Sequence, residues 1–168
     1  LSPKGDYEKS ENMDRITEKI YLGDIDGANE MDYLAQENIH NVISLVGNYS
    51  PKYSEKQKIK KKVINIDDFS TENIFQYFGE CIDFIEKADK VYVHCMCGVS
   101  RSTSIVIAYL MWKAHSNFID TYFFVKNKRS LIGPNDGFCE QLKLFDEFLN
   151  WTFLVLSKIG EFSSRNNN

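Results

Sequence analysis

The run Val91-Tyr-Val-His-Cys-Met-Cys-Gly-Val-Ser-Arg-Ser102 sets a cysteine and an arginine, with five residues between them, on a glycine-bearing turn from a strand into a helix. Val91, Tyr92 and Val93 favour a short β-strand. Thr103 to Lys113 (TSIVIAYLMWK) is apolar almost all round, as expected of a helix buried against a sheet. The turn therefore opens onto a helix N-terminus. There, unpaired N–H groups and the positive end of the macrodipole favour an anion, and successive loop amides can curl into a nest around its oxygens. That is an arrangement suited to phosphate.

Arg101, at the end of the turn, offers a planar fork of donors that can hold two phosphate oxygens at once. The same field favours the thiolate form of Cys95. A thiolate on the floor of an oxyanion cradle is a nucleophile aimed at the bound phosphorus. Met96, Cys97, Gly98, Val99, Ser100 and Arg101 are the expected phosphate-binding positions.

These residues resemble a known family. His94-Cys95 through Arg101-Ser102 matches the HCxxGxxR(S/T) signature of the cysteine-dependent phosphatases, and specifically their dual-specificity branch. The resemblance covers roughly residues 16 to 149. Upstream, Ile20-Tyr-Leu-Gly23 is similar to the family's opening strand and turn, and Ile39 to Val46 to its next core strand. Downstream, Val125 to Asn135, followed by Gly137-Phe138 and Gln141-Leu142, resembles the segment before the family's last helix. By that resemblance Asn135 braces the phosphate loop and Arg129 is structural.

Expulsion of an alkoxide or phenoxide needs a proton donor, because such oxygens leave poorly as anions. Asp67 and Asp68 are the candidates. In the family the general acid precedes an Asn-aliphatic pair by five residues, and Asn73-Ile74 then selects Asp68. The resemblance implies a two-step cycle without metal or cofactor. Cys95 attacks phosphorus while Asp68 protonates the leaving oxygen, and Asp68 then activates water to cleave the phosphocysteine. Ser102 would hydrogen-bond the Cys95 sulfur, and His94 would order the loop from behind. No second ligand pair follows His94, Cys95 and Cys97 at zinc-site spacing.

At 168 residues the chain suits one domain. A formal charge of −4 argues against a general nucleic-acid binder. The four cysteines show no secreted disulfide framework, and a catalytic thiol points to a reducing compartment, cytoplasmic or nuclear. The first twenty residues are polar and charged, unlike a signal peptide, and no apolar run reaches the eighteen or so residues of a bilayer span. The chain begins at Leu1 in place of methionine, as a fragment or processed chain would. Residues 1–13 lack periodicity and are expected to be flexible; 14–158 form the catalytic domain, and 159–168 a polar tail.

Strands are expected near 19–22, 42–46, 62–66 and 91–94, and helices near 27–38, 72–87, 101–115, 117–128 and 136–150. This alternation predicts an α/β layer structure: a mostly parallel central sheet of about five strands, helices on both faces, and the site at the carboxyl end of a strand. The protein tyrosine phosphatase-like fold agrees. Two stretches depart from the family core. The polar insertion from Asn48 to Lys62 reads as a solvated loop, with docking of acidic substrates as the alternative. The run Trp151 to Leu156 reads as an extension of the last helix into the core, with self-association or partner docking as the alternative.

The variable loop positions Met96, Cys97, Val99 and Ser100 carry none of the extra basic or histidine residues of phosphoinositide and RNA-triphosphate enzymes. That favours phosphoprotein, and the short chain suggests a shallow site open to phosphoserine and phosphothreonine as well as phosphotyrosine. Three alternatives stay open: a phosphatase acting on lipid, RNA or carbohydrate, a phospho-binding module with little turnover, and a redox protein built on Cys95-x-Cys97. Cys97 itself either fills a small apolar slot or rescues oxidised Cys95.

Overall fold

The computed structural model describes residues 10–46, 49 and 51–165. Five strands form one sheet: β1 (Met13–Arg15), β2 (Ile20–Gly23), β3 (Asn41–Leu45), β4 (Lys60–Ile64) and β5 (Val91–Cys95). Their order is β1-β2-β5-β3-β4. All neighbours run parallel except β1, which pairs antiparallel with β2. β5, the apolar run of the sequence, is thus central and buried at every position, as strands covered on both faces must be.

The two-residue periodicity of the strands sorts side chains onto two faces. Ile20, Leu22, Ile43, Leu45, Val91, Val93 and Cys95 point into the main core. It is covered by α2 (Phe78–Glu86), α3 (Arg101–Ala114), α4 (Phe118–Lys128) and α5 (Asp136–Arg165). Tyr21, Val42 and Tyr92 point the other way and meet Ala28 and Leu34 from the turn Gly27–Asn29 and the short helix α1 (Met31–Gln36). Helices therefore cover both faces, with one layer much thicker than the other.

The structure corrects several expectations. A single helix over 27–38 is broken at Glu30, whose ψ of 68° leaves the helical region. The strand expected at 62–66 lies two residues earlier, because Lys60 and Lys61 accept the β3 register despite their charge; as the sheet edge, β4 keeps its polar side chains wet. The basic cluster is engaged within the chain, with Lys62 paired to Glu80 at 2.6 Å and Lys61 Nζ donating to the Pro51 carbonyl at 2.6 Å. Part of the insertion, Asn48 and Ser50, lies outside the described residues, as does Gly47 before it.

The segment expected to be flexible up to residue 13 is structured at its end, where Met13 is buried in β1; residues 1–9 lie outside the described residues. The tail expected from residue 159 continues α5 as far as Arg165, and 166–168 lie outside the described residues. Trp151 to Leu156 do extend the last helix, but not into the core: Trp151, Phe153, Leu154 and Leu156 are all more than half exposed. Among the described residues no helix is long and apolar enough to cross a membrane.

Candidate active site

The loop from Cys95 to Arg101 leaves the carboxyl end of β5 and enters α3 at Arg101. Its tight path depends on Gly98, which has φ +64°. A Cβ there would stand 2.5 Å from the carbonyl carbon and oxygen of Gly23 and 2.7 Å from Arg129 Nη2. Three loop carbonyls are held outward. Met96 O accepts from Ile25 N–H at 3.2 Å, Val99 O from Gly133 N–H at 2.9 Å, and Gly98 O from Arg129 Nε at 3.0 Å. In a trans peptide the following N–H points opposite to the carbonyl, so the amides of Cys97, Val99 and Ser100 turn toward the loop's interior.

Cys95 lies at the base of this loop, buried, with Ser102 Oγ donating to its sulfur at 3.2 Å. Arg101 Nη1 donates to the Ile66 carbonyl at 3.1 Å. Arg101 Nε is buried without a hydrogen-bond partner and lies 4.0 Å from Asp68 Oδ2. A buried guanidinium donor left unpaired is costly, and an oxyanion in the loop is the group that would pair it.

Asp68 is reached from the side. Its Oδ1 accepts from Ser100 Oγ at 2.6 Å and from Asn135 Nδ2 at 2.8 Å, while the Asn135 backbone N–H donates to Ser100 Oγ at 3.0 Å. Asp67 is exposed. The structure therefore brings together Cys95, Arg101, Ser102, Ser100, Asn135 and, of the two carboxylates, Asp68. Met96 and Cys97 are exposed on the loop, so Cys97 does not fill an apolar slot behind it. Cys81 is sealed in the core, where burial pushes its thiol up to about 12.

His94 lies behind the loop on the thinner face of the sheet. The parallel register sets Ser44 of β3 beside His94 of β5, and Ser44 Oγ is 2.7 Å from Nε2. Nδ1 is 3.2 Å from the Cys95 carbonyl, which can only accept, so Nδ1 carries the proton and Nε2 accepts from Ser44. The ring stacks on Tyr92 at 5.4 Å between centroids, and burial depresses its pKa to about 4, so it is neutral at pH 7. Arg129 is structural, as the resemblance implied: it is 3% exposed and ties Gly98 O to Asp14 of β1.

Asp14 and Ser44 were missed by sequence reasoning. A lone serine inside the buried run Asn41-Val-Ile-Ser-Leu45 was the available signal for Ser44; nothing local marked Asp14. Among the described residues no group of three His, Cys, Asp or Glu side chains gathers that could hold a metal ion.

The family described as "Dual specificity phosphatase, catalytic domain" matches residues 20–148, which contain the loop, both carboxylates and Asn135. The chain belongs to the dual-specificity phosphatases. Dual specificity protein phosphatase MPK-4 of Drosophila melanogaster is 37% identical over 139 residues, an alignment that takes in 80% of this chain and 36% of the fly protein. The chain thus spans about a third of the length of that relative. Dual specificity protein phosphatase 1B of Arabidopsis thaliana is 34% identical over 144 residues, with 83% of this chain and 85% of that protein covered. The crystal structure of DUSP15 superposes with a TM-score of 0.77 at 31% identity, covering 82% of this chain and 88% of that one. The dual-specificity phosphatase fold, a mostly parallel sheet of five strands between helices, is the architecture described above.

Proposed function

We propose that this chain hydrolyses phosphate monoesters on phosphoproteins, at tyrosine and at serine or threonine, through a phosphocysteine intermediate. The observation that carries the reading is the Nε of Arg101, buried without a hydrogen-bond partner at the end of a loop that begins at a cysteine whose sulfur already accepts from Ser102. A phosphate monoester in the loop would give Arg101 and the inward amides their oxygens. The Cys95 thiolate then forms the S–P bond as the P–O bond breaks, and Asp68 delivers its proton to the departing oxygen. Water next attacks phosphorus, giving a proton back to the Asp68 carboxylate. The S–P bond breaks, inorganic phosphate leaves, and the returning thiolate is stabilised by the Ser102 hydroxyl.

Phosphoprotein is the favoured substrate class because Arg101 is the loop's only basic side chain, and because exposed Met96 and Phe69 offer apolar surface at the loop and beside Asp68. A lipid, RNA or carbohydrate phosphate would use the same chemistry. The thiol chemistry calls for a reducing compartment, cytoplasmic or nuclear. The test is turnover of an aryl phosphate in the presence of a chelator, then of a panel of phosphopeptides against a phosphoinositide and an RNA triphosphate. Chelator-resistant turnover with phosphopeptides preferred is expected. Metal-dependent turnover would overturn the mechanism, and preference for a non-protein phosphate would overturn the substrate class.

A further inference from the structure

α5 carries a second apolar face that the catalytic domain does not use. At 3.6 residues per turn, Leu144, Phe148, Trp151, Val155 and Ile159 fall in one stripe at spacings of four and three, about a third of a turn from the core-facing Phe138, Leu142 and Phe145. Leu144, Phe148, Trp151 and Ile159 are each more than half exposed, Trp151 at 64%. Phe148 stacks on buried Phe145, with ring planes 16° apart, so the stripe grows directly out of the core. Scattered exposed apolar residues need no explanation, but a continuous stripe about 22 Å long does.

We propose that this stripe is an interface with a second copy of the same chain, the two α5 helices running antiparallel. Charge decides the occupant and its direction. Glu147 and Lys158 lie on the same flank of the stripe, one toward each end. A two-fold antiparallel pairing sets Glu147 against Lys158 of the second copy, and the reverse, with Trp151 packed on Leu154 of the second copy. A parallel pairing would leave Glu147 and Lys158, eleven residues apart on one flank, out of reach of each other across the seam.

Area supports the same occupant. With roughly half of each side chain still exposed, the stripe and Leu154 offer on the order of 500 to 700 Å² per copy, near the roughly 800 Å² per partner of a standard interface once a polar rim is added. A lipid surface fits less well. The charges flanking the stripe balance, Glu140 and Glu147 against Lys143 and Lys158, whereas a helix lying on a membrane is basic on its polar face.

The test is sedimentation velocity on the 168-residue chain across about a hundredfold concentration range centred near ~10 μM. A concentration-dependent monomer–dimer equilibrium is expected. Trp151→Glu should raise the dimer Kd by at least about a hundredfold, since a two-fold interface loses the anchor twice. Glu147→Lys should weaken the dimer, and adding Lys158→Glu should restore it to within about threefold of the original. Thermal melting by circular dichroism reports whether each variant is folded. Four outcomes would overturn the proposal: a chain monomeric throughout, a dimer indifferent to Trp151→Glu, a charge swap that does not restore pairing, or a monomer that instead binds phosphatidylcholine–phosphatidylserine vesicles.

Discussion

Asn135 holds Asp68. Its Nδ2 donates to Asp68 Oδ1 at 2.8 Å, its backbone N–H donates to Ser100 Oγ at 3.0 Å, and Ser100 closes the ring by donating to the same Asp68 oxygen at 2.6 Å. Three segments far apart in sequence are thereby fixed to one another: the end of the acid segment, the phosphate loop and the start of α5. Both bonds fall on Oδ1, so Oδ2, 4.0 Å from Arg101 Nε, is the oxygen left to face a substrate.

Asp68→Asn should lower turnover of a phenyl phosphate by about a hundredfold or more, the range for removal of a positioned general acid. Asp67→Asn, on an exposed carboxylate outside the ring, should change it little. The loss should shrink with substrates whose leaving group is a good anion, since these need less protonation. A larger loss from Asp67→Asn would reassign the acid.

Asn135 has a second task, because its Oδ1 accepts from Phe138 N–H at 2.9 Å at the start of α5. Asn135→Ala should therefore lower stability by about 1 kcal/mol, as loss of a helix cap does, and lower kcat by about tenfold through a misplaced acid. Asn135→Asp separates the two roles: it keeps the cap acceptor but turns an acceptor toward Asp68. Stability near that of the original with reduced kcat is expected. In an Asp68→Asn background the kcat effect of Asn135→Ala should vanish, which a purely structural role would not produce.

Cys95→Ser should abolish turnover while leaving binding of phosphate analogues, because a hydroxyl keeps the shape but does not ionise near neutral pH. Vanadate should inhibit the original chain. Isothermal titration with phosphate or tungstate checks retained binding, and substantial turnover by the variant would remove Cys95 as nucleophile.

Much of this was legible in the chain, for reasons that differ by element. β5, the loop and α3 were legible because a buried parallel strand, a glycine turn and an all-apolar helix leave strong local marks. β1 was not: three residues, Met13 to Arg15, make no pattern, and their place is set by pairing with β2 and by the Asp14–Arg129 ion pair at 2.9 Å. β4 was misplaced because charge at Lys60 and Lys61 disguises an edge strand. Trp151 to Leu156 were read as core because they are apolar, yet burial depends on what lies opposite them, which composition does not encode. Among site residues, motif spacing located Cys95, Arg101, Ser102 and Asp68, whereas the Ser100 bridge to Asp68 and the Ser44 partner of His94 exist only through space.

Gly98→Ala should disable the loop. The residue sits at φ +64°, which costs a residue with a Cβ on the order of 1 kcal/mol, and the added carbon would also drive into the Gly23 carbonyl. The Gly23 backbone cannot yield, and the Arg129 side chain on the other side is held by Gly98 O and Asp14. Loss of nearly all turnover, with a Tm lowered by several degrees, is expected from thermal melting and aryl phosphate assays. Near-normal turnover would show that the loop can open away from Gly23.

His94 should make the fold sensitive to acid. Burial holds its folded pKa at about 4, below the roughly 6.5 of an unfolded chain, so the unfolded state binds the proton first. The stability linked to His94 is therefore fully present above pH ~6.5 and is lost progressively as pH falls from there toward 4, by an amount on the order of 3 kcal/mol. The bonds involved point the same way. A protonated ring would place a second N–H against Ser44 Oγ, which now donates to Nε2, and would put a charge beside Tyr92 with no carboxylate bonded to it. Carboxylates also titrate in this range, so the comparison is with His94→Asn, which lacks the titrating ring. Urea unfolding of both proteins at pH 7.5, 6, 5 and 4 should give curves that converge as pH falls, the original losing more stability than the variant between pH 6.5 and 4. Parallel curves would mean that His94 is protonated in the folded chain as readily as in the unfolded one.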